Sequence, residues 1–287
     1  MANYKWTSTV TAAFDSDNWD AGAGPTGPPG ASHNALFDGQ YNGSVTNPAS
    51  EEFCANMYVS SAYTGDMGTS GSPLQVSANS GTGLFVLEGS GDMYFDSDVD
   101  HVLIRKTGNI TFANNDVCES VNIFGGNSVT ITPNAQLNYI NVGSNQGSGP
   151  NVTVEEGSSN AVFLTINNGN VTVEQQSAPI VYQDGGRCLL SGVTTLTNHV
   201  VAGGTTYASQ NDDLNVNGHA VVMAGGTFDL SGCKGTITVS DSIICHSGGF
   251  VNLDNGQTTD ASGANNMIVF TGGKVKQFRG ENNFIEV

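Results

Sequence analysis

Positive charge is the scarcest property of this chain. Eight Lys and Arg stand against 26 Asp and Glu in 287 residues, a formal net charge of −18, and only 12% of residues are charged at all. Globular proteins usually carry about 25%. The cations are Lys5, Arg105, Lys106, Arg187, Lys234, Lys274, Lys276 and Arg279; only the last three lie close together. Binding a phosphate backbone needs clustered cations, so neither nucleic acid nor an anionic membrane is an expected partner. Long apolar runs are missing too. None approaches the roughly 18 residues of a membrane span, and the opening MANYKWTSTV has neither the basic nor the apolar region of a secretory signal. Synthesis in a cytoplasm is therefore expected. The five cysteines, Cys54, Cys118, Cys188, Cys233 and Cys245, are odd in number and form no CxxC pair. A disulfide framework would show an even count, so they are read as reduced, buried small hydrophobes. The five His have no zinc-ligand spacing, and no cofactor is expected. Helical periodicity is also absent: Leu, Ala, Glu and Lys never gather at 3.6 spacing, and 38 glycines interrupt every window.

What is present is one short phrase, repeated. A Gly or Asn turn precedes a few alternating β-branched or aromatic residues in GNITF (108–112), GGNSVTI (125–131), NVTV (151–154), GNVTV (169–173), GVTTL (192–196), LNVNG (214–218), GGTFDL (225–230), GGFVNL (248–253) and GGKVKQF (272–278). Central strand residues at 110, 129, 152, 171, 194, 216, 228, 251 and 275 are separated by 19, 23, 19, 23, 22, 12, 23 and 24 residues. A period near 20 predicts a solenoid, whose repeats bury their apolar faces only by stacking. A β-sandwich would turn every 8–12 residues instead. The expected fold is thus all-β, a parallel β-helix-like solenoid with rungs of about 20 residues. Asn109, Asn127, Asn151 and Asn170 recur where side-chain ladders between rungs could form.

The solenoid is placed at 109–287, after transitional strands at 51–108. Residues 1–50 differ, with both tryptophans (Trp6, Trp19) and four of eight prolines. They are expected to form a docking or capping region, because an open solenoid end exposes core and strand edges. Two roles compete for Trp6, Trp19 and Phe37: anchors for a partner, where a few aromatics concentrate binding energy, or the seal of the cap. GPTGPPG (24–30) is too short for a triple helix and reads as a stiff connector.

The carboxylates suggest little chemistry. Asp96, Asp98 and Asp100 would share one face of a strand and are weak candidates for a metal, against the simpler reading of an acidic strand edge. Asp15, Asp17, Asn18 and Asp20 read as capped turns. Asp184, Asp212, Asp213, Asp229, Asp241 and Asp254 could supply a glycan-cleaving pair on stacked rungs, and His199, His219 and His246, at steps of 20 and 27, a stacked base. Such scatter is expected in any Asp-rich chain, and no catalytic residue is assigned.

The run from Trp6 to Asn18-Trp19, the proline turns, Ala35-Leu36-Phe37-Asp38-Gly39 and then VSSAYTGDMG (59–68) resembles the opening of β-solenoid virion proteins of tailed phages. Ser32-His33-Asn34 departs from the Gly-Asp more usual before that strand. The resemblance covers about the first 70 residues by motif. It implies a non-enzymatic capsid decoration protein or head fibre, carried on the virion and contacting the major capsid protein or another virion protein. Self-association, as a homotrimer, is expected of a weakly charged solenoid. Rival readings are a tail-associated receptor binder or polysaccharide depolymerase, and a bacterial surface adhesin or filament subunit.

Overall fold

The computed structural model describes residues 2–22, 25–78, 83–105, 108–112, 117–125, 128–131, 136–143, 149–155, 163–174, 180–193, 195–254, 259–260, 267–276 and 284–286. Among them every regular element is a β-strand, and parallel ladders build a β-solenoid with rungs of about 21 residues. The chain divides into two compact units, 1–140 and 141–287.

In the N-terminal unit one ladder stacks Asn3–Trp6, Asn34–Phe37, Asn56–Val59, Leu84–Leu87, His101–Ile104 and Val117–Ile123, all parallel. Alternation along each strand sends every second side chain inward. The inward columns read Ala35, Met57, Phe85, Val102, Val121 and Phe37, Val59, Leu87, Ile104, Ile123, all buried. A second ladder joins Met93–Phe95, Asn109–Phe112 and Ser128–Ile131. It continues toward the N-terminus through Met67 and Val45 to Ala12. Stacking therefore begins well ahead of residue 109. It extends through both the expected transitional segment and the first 50 residues, where rungs are longer and their turns less regular. That irregularity hides the period from the sequence.

In the C-terminal unit the first ladder runs through Phe163–Ile166, Ile180–Gln183, Thr195–Val201, Leu214–Val222, Ser242–Cys245, Met267–Val269 and Phe284–Glu286. The second runs through Asn151–Val154, Asn170–Val173, Arg187–Leu190, Gly204–Ala208, Gly226–Asp229, Phe250–Asn252 and Lys274–Lys276. The anomalous step of 12 now has a cause. LNVNG lies on the first ladder, as does the C-terminal part of GVTTL, whereas the other phrases lie on the second. From 216 to 228 the sequence crosses from one ladder to the other within a single rung. The true second-ladder column is Val152, Val171, Cys188, Thr206, Phe228, Val251, Val275.

The asparagine ladder is realised in part. Asn170 Nδ2 donates to Asn151 Oδ1 at 2.9 Å. A parallel series links Asn56 to Asn34 at 2.9 Å and Asn34 to Asn3 at 2.8 Å. Asn109 stands in register with Ser128, and Asn127 lies outside the described residues.

Candidate interaction surfaces

The N-terminal end is sealed by aromatic side chains. Trp6 pairs with Trp19 across an antiparallel contact, and Trp19–Asp20 pairs antiparallel with Pro25–Thr26. The indoles lie edge to face at 5.2 Å, with Phe37 at 5.8 Å from Trp6 and 5.3 Å from Trp19. Phe14 and Tyr63 complete the cluster. Each indole N–H donates to a carbonyl, Trp6 to Gly43 at 3.0 Å and Trp19 to Phe14 at 2.8 Å. Trp6, Trp19 and Phe37 are at most 1% exposed. This corrects the anchoring role considered for them: a side chain with no accessible surface offers a partner nothing. They form the interior of the cap.

The acidic trio falls differently from its expectation. The strand ends at Phe95, so Asp96, Asp98 and Asp100 do not share a pleated face. Asp96 and Asp98 line a cleft of about 330 Å³ with Glu51, Gln75 and Ser97. Their groups hold loops together. Asp96 Oδ2 accepts from Gln75, Glu51 Oε1 accepts from the Ser77 hydroxyl, and the Asp98 N–H donates to Ser77 Oγ. Asp100 Oδ2 caps the Gly83 N–H at 2.9 Å. Among the described residues no group of three His, Cys, Asp or Glu could hold a metal ion. The Asp15–Asp20 cluster makes turn caps as expected, Asp20 to the Gly22 N–H and Asp15 to the Ala49 N–H.

The three histidines do not stack. His199 faces the interior, in register with Val181 and Ala220. His219 faces outward opposite Asn198, its Nδ1 3.7 Å from Asp241. His246 lies beyond its strand, stacked on Phe270 at 4.7 Å. The other aspartates are dispersed: Asp213 and Asp229 cap backbone N–H groups, and Asp254 pairs with Lys276 at 2.8 Å.

Inside the C-terminal unit lies a polar network that the sequence did not signal. Gln183 Nε2 donates to the carbonyls of Gly185, Gly186 and Thr205, pinning a turn from within. Thr206 Oγ1 donates to Gln183 Oε1, so it must accept from His199 Nε2, 2.8 Å away. That fixes the proton on Nε2 and leaves a bare Nδ1, which has no partner. Burial without a counter-charge pushes the His199 pKa down to about 3. No local motif could have announced this trio, whose members come from three different strands.

The outward face of the first ladder was also missed, although its signal is present. In the N-terminal unit its central outward column is Leu36, Tyr58, Val86, Leu103. Leu36, Tyr58 and Val86 line a cleft of about 230 Å³. Ion pairs Lys5–Asp38 and Arg105–Glu88 lie beside it. Strands such as LFVL (84–87) and HVLI (101–104) are apolar at both parities, whereas second-ladder strands such as NITF alternate. Continuous apolar runs belong to sheets covered on both faces.

No protein-family model matches the chain, and comparison with curated proteins and with solved structures finds no match. No described helix is long and apolar enough to cross a membrane.

Proposed function

We propose that this chain is a non-enzymatic structural protein of a virus particle, a capsid decoration or head-fibre protein. It is made in the host cytoplasm, carried on the virion as a homotrimer, and held by the major capsid protein or another virion protein. The observation that carries this reading is the aligned apolar column Leu36, Tyr58, Val86, Leu103 on the outside of a rigid ladder. Exposed contiguous apolar surface on so acidic a chain marks a place to be covered. The flanking charges, Lys5 and Arg105 with Asp38 and Glu88, offer both signs to a partner's rim. Attachment thus moves from the buried tryptophans to this outward column. The resemblance of the opening to tailed-phage solenoids supports the same assignment.

The test is gold labelling, in electron micrographs, of lysates from the producing cells. Label arrayed on particle heads is expected, lost from particles assembled with Tyr58→Glu. Label on tails would replace the proposal with receptor binding, and label on cell surfaces or filaments with an adhesin. Loss of viscosity from a capsule incubated with the protein would establish a depolymerase.

A further inference from the structure

In the C-terminal unit the outward side of the first ladder carries a second apolar strip. Its central column is Thr165, Tyr182, Val200, Val221, Ile244, Ile268, one residue from each successive strand. On one side stands the column Phe163, Ile180, Asn198, His219, Ser242. On the other side Met223 and the stacked pair His246 and Phe270 follow the strand ends. Phe163, Tyr182 and Met223 are 47%, 45% and 39% exposed. From the strand at 163–166 to that at 267–269, neither named column contains an Asp, Glu, Lys or Arg. The second ladder of the same unit differs: its outward positions include Arg187, Asp229, Lys274 and Lys276.

We infer that this uncharged face is where copies of the chain meet, the occupant being a second copy of the same face; the inference rests on the self-association proposed above. Three arguments select that occupant. The first is charge. Copies carrying −18 each repel one another wherever carboxylates face carboxylates. Self-association needs a face without them, and this one has none in its two named columns. The second is period. Parallel strands repeat about every 4.8 Å, so the face is corrugated at that spacing over six strands. A globular partner has no such translational repeat, whereas another copy matches it ridge into groove. The third is sequence. IVYQ, SIIC and MIV are apolar at both parities, the pattern of strands covered on both sides.

The size of the face sets the strength. Six strands about 4.8 Å apart and three outward columns about 7 Å apart give a footprint of roughly 350 Å². A standard stable interface buries about 800 Å² on each partner. This face alone therefore supports weak, concentration-dependent association.

Sedimentation velocity on the full chain, from micromolar concentration to the solubility limit, tests the inference. Three variants are compared with wild type: Tyr182→Glu with Val221→Glu on the face, Thr172→Glu with Leu189→Glu on the second ladder, and the uncharged Val221→Thr with Ile244→Thr. The last keeps strand-compatible β-branched residues should the first fail to fold. Expected is a wild type that associates, face variants at least tenfold weaker with an unchanged melting temperature, and second-ladder variants like wild type. A wild type that associates while both sets weaken it, or neither does, would overturn the face and leave self-association standing. A wild type that stays monomeric to its solubility limit would overturn both.

Discussion

At the scale of single residues, the cap and the buried histidine carry the sharpest consequences. Trp19 fills the centre of the aromatic cluster with no accessible surface, so Trp19→Ala should destabilise by about 3–5 kcal/mol, seen as a lower denaturant midpoint or as aggregation. A variant with wild-type stability would show that the cap contributes nothing to the fold. His199 predicts a pH dependence with a definite sign. Its pKa is depressed in the folded chain to about 3, while an unfolded histidine titrates near 6.5. As pH falls below about 6.5 the unfolded chain takes up a proton that the native one refuses. Stability should therefore fall with acidification, approaching about 1.4 kcal/mol per pH unit from this group, with the loss levelling off near pH 3. Above pH 7 the group contributes no slope. His199→Phe should remove this contribution, measurable as denaturant midpoints at several pH values between 7.5 and 5. The trio itself was illegible in sequence, because Gln183, His199 and Thr206 meet only once the rungs are wound.

At the scale of strands and turns, much was legible and the exceptions have causes. The alternation in NITF, SVTI and NVTV gave the second ladder directly, since period-2 patterning is the signature of a half-buried strand. The first ladder was harder to see, because its strands are apolar on both faces and lack that alternation. The acidic trio was misplaced for a related reason: charge spacing alone cannot tell where a strand stops, and this one stops at Phe95. One irregularity is locally encoded. Between Leu196 and Asn198 the register shifts, and Leu214–Val222 carries one extra residue there, a β-bulge. Gly218 sits in it, and a Cβ at that position would come within 1.4 Å of the Thr197 carbonyl oxygen. Gly218→Ala should cost about 1–3 kcal/mol through forced backbone shifts, readable in urea unfolding. An unchanged midpoint would mean that the bulge relaxes freely.

At the scale of the whole molecule, the five cysteines report on the integrity of the stack. All are buried free thiols, and Cys54 and Cys188 are pushed up to about 12 by burial. The thiolate is the reactive form, so a thiol reagent at pH 8 should label none of them quickly in the native state and all five in denaturant. Rapid native labelling would show that rungs open independently. Solenoid architecture was readable from recurrence alone, but not where stacking starts, because the long early rungs obscure the period. That early start has a consequence for how the chain is made. Each strand pairs with one roughly a rung earlier, and the aromatic cap is the first part of the described fold to be translated. Synthesis at about 5–20 residues per second delivers one rung every few seconds, whereas β-hairpin formation takes microseconds. Every new strand therefore leaves the ribosome facing a finished template, so that the chain can wind itself from one end like thread onto a spool already turning.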